Sequence, residues 1–97
     1  ILPDPLNEIY VPNTFTPNGD NVNDMFFAFG WNIVDITSMQ VFDRWGELVF
    51  ETNNYMVGWD GTFKGNMQPM EVYVYYLIGD FADTNTFERK GNITLLR

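Results

Sequence analysis

The residues best suited to chemistry lie in an Asn- and Asp-rich loop near the start of the chain. Asn18, Asp20 and Asp24 place side-chain oxygens at even positions, and the main-chain carbonyl of Val22 could fill the gap between them. Ca²⁺ takes about six to eight oxygen ligands, and a tight glycine turn brings such oxygens together. The predicted metal ligands are Asn18, Asp20, Val22 and Asp24, and the predicted cofactor is Ca²⁺.

The same loop can be explained without a metal. Asn and Asp side chains also accept hydrogen bonds from nearby backbone amides, which forms Asx turns. The spacing differs from an EF-hand, because the glycine comes too early and no Glu occupies the twelfth position. Both interpretations, a Ca²⁺ site and a loop closed by Asx turns, therefore remain open at this stage.

A second group of residues combines charge with tryptophan. Residues 43–47 read Asp-Arg-Trp-Gly-Glu, and residues 59–61 read Trp-Asp-Gly. Arg44 could pair with Asp43, Glu47 or Asp60, and its planar group can also stack on Trp. The motif could be an exposed recognition feature at a hairpin tip. We favour the alternative that both tryptophans pack into the core, because large aromatic side chains are mostly buried.

Catalysis has little support in this sequence. The chain contains no His and no Cys, which removes the usual base-assisted nucleophiles. Carboxylate pairs are expected by chance in so acidic a chain, so they do not indicate a hydrolase. The aromatic residues Trp31, Tyr55, Trp59, Tyr73 and Tyr75 could form a sugar-binding face, but core packing is the simpler explanation. We predict that the protein is not an enzyme and has no small-molecule substrate.

Charge and length restrict the partners further. Thirteen acidic and five basic residues give a formal net charge of −8, which argues against nucleic acid and against anionic membrane surfaces. No apolar run reaches the roughly 18 residues of a membrane helix, so direct membrane insertion is not expected. Ninety-seven residues suit one domain. We assign residues 1–7 to a linker or edge segment and residues 8–97 to the domain.

The pattern of apolar residues predicts an all-β fold. β-rich runs at residues 8–12, 25–31, 33–44, 47–52, 72–78 and 87–97 are separated by turn residues. The run at 72–78 is apolar or aromatic on both faces, which is typical of a central strand. No stretch shows a sustained helical period. Short strands at this spacing indicate a β-sandwich of about seven strands.

An opening stretch at 11–24, a hairpin at 41–50, a turn at 59–65, a strand at 72–75 and a closing stretch at 90–97 follow one another along the chain. In this order they resemble the type B sorting domain of the type IX secretion system, the gliding-motility-associated C-terminal domain family of Bacteroidetes. The likeness covers residues 9–97. Asp43 replaces the Asn common before Arg-Trp-Gly, and Met70 and Glu71 stand where many members carry Gly.

The resemblance implies an immunoglobulin-like sandwich at the end of a large secreted adhesin or enzyme. Such a domain would fold in the periplasm and direct its passenger through the type IX translocon to the cell surface or medium. Its partners would be outer-membrane proteins of the PorP/SprF type. The competing hypothesis is a Ca²⁺-stabilised adhesive or structural module of a cell-surface protein.

We expect the partner to contact the last strand and the nearby hairpin tip. A terminal strand can add to the sheet edge of another protein, where backbone hydrogen bonds give affinity and alternate side chains give specificity. The predicted partner-binding residues are Lys90, Gly91, Asn92, Ile93, Thr94, Leu95, Leu96 and Arg97.

Overall fold

A computed structural model describes residues 8–19, 24–31, 33–54, 56–82 and 85–96. In these ranges every regular element is a β-strand, which confirms the predicted all-β class. The strands are β1 (Glu8–Tyr10), β2 (Thr14–Phe15), β3 (Phe29–Trp31), β4 (Ile33–Phe42), β5 (Leu48–Thr52), β6 (Thr62–Phe63), β7 (Asn66–Met67), β8 (Val72–Phe81) and β9 (Thr86–Leu95). The predicted linker at 1–7 lies outside the described residues. Within the described ranges, no helix has the length and apolar character to cross a membrane.

One five-stranded sheet dominates the fold, with the strand order β2-β9-β8-β4-β5. The neighbours β9, β8, β4 and β5 are antiparallel, whereas β2 joins β9 in parallel. β8 lies at the centre, as its apolar or aromatic residues on both faces predict. Its alternate residues 73, 75, 77, 79 and 81 are buried, so one face of the sheet covers the core.

A second layer packs on that face. β1 pairs with β3, β6 pairs with β7, and Phe26 exchanges two backbone hydrogen bonds with Trp59, at 2.8 and 3.1 Å. The order β9-β8-β4-β5 corresponds to the G-F-C-C′ sheet of immunoglobulin domains. The sandwich prediction is confirmed. The described residues hold nine strands rather than about seven, and three of the nine (β2, β6 and β7) are only two residues long.

Aromatic side chains connect the two layers. Trp59 packs edge-on against Tyr73 with ring centroids 4.9 Å apart, and Phe15 lies 5.3 Å from Trp59. Phe26 of the second layer contacts Tyr75 of β8 at 5.6 Å. Because each aromatic side chain can bury roughly 150–250 Å², these few rings supply much of a small core. Trp59, Tyr73 and Tyr75 are therefore core residues, and the sugar-binding alternative is not supported for them.

Tyr73 forms a tyrosine corner, the hydrogen bond from a tyrosine hydroxyl to the backbone a few residues upstream that occurs in immunoglobulin folds. Tyr73 is the second residue of β8 and its side chain is fully buried. Its hydroxyl donates to the Pro69 carbonyl at 2.7 Å. In antibody domains a disulfide cysteine follows the corner tyrosine by two residues. Tyr75 occupies that position here, so its contact with Phe26 joins the layers where the cysteine-free chain cannot form a disulfide.

Tyr73→Phe should lower the free energy of unfolding by about 1–2 kcal/mol, because it removes the part-buried hydrogen bond from the Tyr73 hydroxyl to the Pro69 carbonyl. Tyr76→Phe is the matched control, since Tyr76 lies on the same strand with 37% of its surface exposed. Its effect should stay within about 0.5 kcal/mol. Urea unfolding followed by fluorescence measures both. Equal midpoints for the two variants would contradict a stabilising role for the corner.

Candidate partner-binding surface

The hairpin tip at residues 43–47 is held rigid by one carboxylate. Asp43 Oδ1 accepts hydrogen bonds from the backbone amides of Trp45 and Glu47, both at 2.9 Å, and the Asp43 carbonyl accepts from Gly46 at 3.0 Å. Gly46 adopts a positive φ of 82°, which suits glycine. Both side-chain bonds reach a single oxygen that an Asn side chain also carries. Asp43 therefore forms the same turn as the Asn that is common before Arg-Trp-Gly in the family that the sequence resembles.

Trp45 is the largest apolar side chain on the tip, and 81% of its surface is exposed. The prediction that both tryptophans of the motif pack into the core is correct for Trp59, which is fully buried, and wrong for Trp45. The reason is position. Trp59 faces β8 from the second layer, whereas Trp45 lies in a turn that extends beyond the ends of β4 and β5.

Arg44 connects the tip to the start of β8. Its guanidinium carbon lies 5.3 Å from the Trp45 ring centroid, and its Nε lies 3.7 Å from Glu71 Oε2. The acidic partner is thus Glu71, not one of the candidates nearer in sequence. The Arg44 side chain is 64% exposed, so this ion pair orients the tip more than it stabilises the fold.

Glu71 also contacts the last strand. Its carbonyl accepts a hydrogen bond from the Leu95 amide at 3.0 Å. Met70 beside it is exposed, and so is Leu96, which directly follows β9. We define the tip surface as Arg44, Trp45, Met70, Glu71 and Leu96. The hairpin tip and the last strand, which were predicted to lie near each other, therefore both contact Glu71.

The structure divides the predicted partner-binding residues into two groups. Ile93 and Leu95 are fully buried in the core, so their side chains cannot reach a partner while the domain is folded. The Thr94 and Leu96 amides donate to the carbonyls of Asn13 and Phe15, at 2.9 and 3.0 Å. β2 therefore covers the outer edge of β9 at its end. Arg97 lies outside the described residues, and partner binding by residues 90–97 stays a prediction.

The earlier part of β9 is more accessible. Among the described strands, none pairs with its outer edge over residues 86–92. Lys90 and Asn92 are exposed there, while Gly91 lies under the Tyr75 ring. A Cβ at Gly91 would approach the Tyr75 hydroxyl to 2.9 Å, so this contact favours glycine. Burial raises the pKa of the Tyr75 hydroxyl, and the positive charge of Arg89 partly offsets that effect.

The predicted Ca²⁺ loop is described only at its two ends. Asp24 Oδ1 accepts hydrogen bonds from the Asn18 and Gly19 amides, at 3.2 and 3.1 Å. These bonds satisfy two backbone amides without a metal, but they span six and five residues and so differ from Asx turns, which reach the backbone two residues on. Asp20 and Val22 lie outside the described residues, and the described part of the chain holds no group of three acidic, His or Cys residues suited to a metal. The Ca²⁺ site therefore stays a prediction.

Ca²⁺ should raise the melting temperature of the chelator-treated domain and give measurable heat on calorimetric titration if the loop binds it. The reason is that a ligand binding only the folded state stabilises that state. Mg²⁺ is the control, because it demands a smaller octahedral site. A titration without heat and without a shift in melting temperature would contradict the Ca²⁺ site and leave the metal-free interpretation of the loop.

Trp45→Ala should change the free energy of unfolding by no more than about 0.5 kcal/mol, because the side chain is largely in solvent. Trp59→Ala should cost about 3–5 kcal/mol, because it leaves a large cavity between the layers. Denaturant unfolding of the two variants makes the comparison. A large loss for Trp45→Ala would show that this side chain has a structural role.

Comparison with known proteins adds the family to this geometry. The family model of the CHU_C type IX secretion signal domain matches residues 9–95. No curated protein matches the chain. A type IX secretion signal engages the secretion machinery and marks a protein for export to the cell surface or medium, and the family is not one of enzymes. The chain belongs to the CHU_C family of type IX secretion signal domains.

Proposed function

We propose that the domain directs a passenger protein through the type IX secretion system by binding an outer-membrane translocon protein of the PorP/SprF type. The observation that carries this proposal is the exposed Trp45 on a rigid turn. Trp and Arg are enriched among the residues that dominate protein–protein binding, and Trp45 stacks with Arg44. The tip surface supplies the anchor, and exposed residues of β9 adjoin it.

The proposed signal is a folded surface rather than a linear peptide. Trp45, Glu71 and Leu96 come from three separate segments, and only the folded sheet brings them together. A partner that contacts all three segments can bind only after the domain has folded. We therefore infer that the domain folds in the periplasm, before it reaches the partner.

Charge supports a protein partner with a basic groove. The chain carries a net charge of −8, and Asp43, Glu47 and Glu71 surround Trp45 and Arg44 in the turn and at the start of β8. Complementary potentials speed encounter and select partners, whereas a buried aromatic anchor supplies most of the affinity. We therefore infer that the partner offers an apolar pocket for Trp45 inside a basic rim.

A reporter with a periplasmic signal peptide, fused to residues 1–97, tests the proposal in a type IX-competent cell. The parent fusion should reach the surface or medium, and the same fusion should stay periplasmic in a translocon-deficient strain. Trp45→Ala should lower export about tenfold or more, because it removes the proposed anchor. Met56→Ala is the matched control, since Met56 is 78% exposed and lies outside the tip surface.

Two outcomes would contradict separate parts of this proposal. A parent fusion that stays in the periplasm would sink the sorting function of this segment. Export of Trp45→Ala at the parent level would keep that function and reject the tip surface. Trp59→Ala, which disrupts the core, should be retained, and its export at the parent level would reject recognition of the folded domain.

A further inference from the structure

The outer face of the five-stranded sheet, which points away from the core, carries an apolar stripe. Val72, Val74, Tyr76 and Ile78 follow one another on this face of β8; Val74 is half-buried, and the other three are 48%, 37% and 40% exposed. Phe42 of β4 contacts Tyr76 edge-on at 6.1 Å, and Leu48 pairs with Phe42 from β5. A solvated sheet face normally carries polar side chains. Neither packing nor the tip surface explains this stripe.

Charges lie at the two ends of one row that crosses the stripe. The strand register aligns Lys90 of β9, Tyr76 of β8, Gln40 of β4 and Glu51 of β5. Contacts support this order, because Lys90 Nζ lies 5.2 Å from the Tyr76 ring centroid and Gln40 Nε2 donates to Glu51 Oε2 at 2.7 Å. The row therefore has a basic side chain at one edge of the sheet and an acidic side chain at the other, with an aromatic ring and an amide between them.

We propose that this face binds a second copy of the same chain, with a two-fold axis running parallel to the strands between β8 and β4. Rotation about that axis places β9 of one copy over β5 of the other. Lys90 of each copy then faces Glu51 of the other, and the two apolar stripes meet. A two-fold interface must be self-complementary, and this row has that property.

The second copy is favoured over an unrelated protein by this charge pattern. Both charges of the row are satisfied by the same residues of an identical chain, so no further partner chemistry is needed. Sheets that pack face to face lie about 10 Å apart, a distance that two facing layers of side chains fill. Long Lys and Glu side chains at the two edges can meet across that gap.

The size of the face predicts a weak dimer. The face has four strands about 4.8 Å apart, three of ten residues and one of five, so their mean length is about nine residues and they cover roughly 20 by 30 Å, or about 600 Å² per copy. Standard interfaces bury about 800 Å² per partner. The net charge of −8 on each copy opposes association as well. We expect dissociation in the micromolar range or weaker, at about 0.15 M salt.

Sedimentation equilibrium of the purified chain, from about 1 µM to 1 mM, tests the dimer without any secretion partner. The parent should show a reversible monomer–dimer equilibrium. Lys90→Glu and Glu51→Lys should each weaken it about tenfold or more, because each variant faces like charge at both ends of the row. An equimolar mixture of the two variants should recover association, since every charged position then faces its opposite.

Charge-matched controls separate this interface from general charge effects. Glu8→Lys and Lys64→Glu make the same charge changes on β1 and in the β6–β7 turn, away from the outer face. Neither should weaken the dimer as the row variants do, and melting curves confirm that all four variants are folded. A parent that stays monomeric at 1 mM overturns the proposal. So does a mixture that associates no better than either row variant alone.

Discussion

The contact between Trp59 and Tyr73 is the constraint on which the rest of this domain depends. Both side chains are fully buried, and they join the second layer to the central strand of the sheet. Each polar atom is satisfied locally, with Trp59 Nε1 donating to the Thr62 carbonyl and Tyr73 donating to Pro69. A chain without cysteine thus holds two layers together without a disulfide, and these aromatic contacts supply much of the packing between them.

The same contact positions the proposed recognition surface. The Tyr73 hydroxyl bonds Pro69 and so anchors the chain just before Met70 and Glu71. Glu71 then receives the Leu95 amide through its carbonyl and lies beside Arg44 through its side chain. The core and the tip surface are therefore one connected structure. This gives a physical reason why the proposed recognition surface forms only in a folded domain.

The two proposed surfaces use the sheet in different ways. The tip surface lies at one end, where three chain segments converge and an exposed tryptophan projects from a turn. The outer face uses the alternation of side chains along β8, which places Tyr73 in the core and Tyr76 toward solvent. The ten-residue central strand therefore supplies side chains to the core on one face and to the proposed dimer interface on the other, and it begins beside the tip surface.

The sequence by itself determined the all-β class, the long strands, the glycine turn of the hairpin and the membership of the family. These features depend on local signals such as alternation, turn residues and ordered motifs. Only the tertiary structure decided that Trp45 is exposed while Trp59 is buried, that Arg44 meets Glu71, and that β2 covers the end of β9. Those outcomes depend on contacts between residues far apart in the chain. Strand order and the packing of the two layers determine which distant segments come into contact. Local sequence patterns carry no information about either.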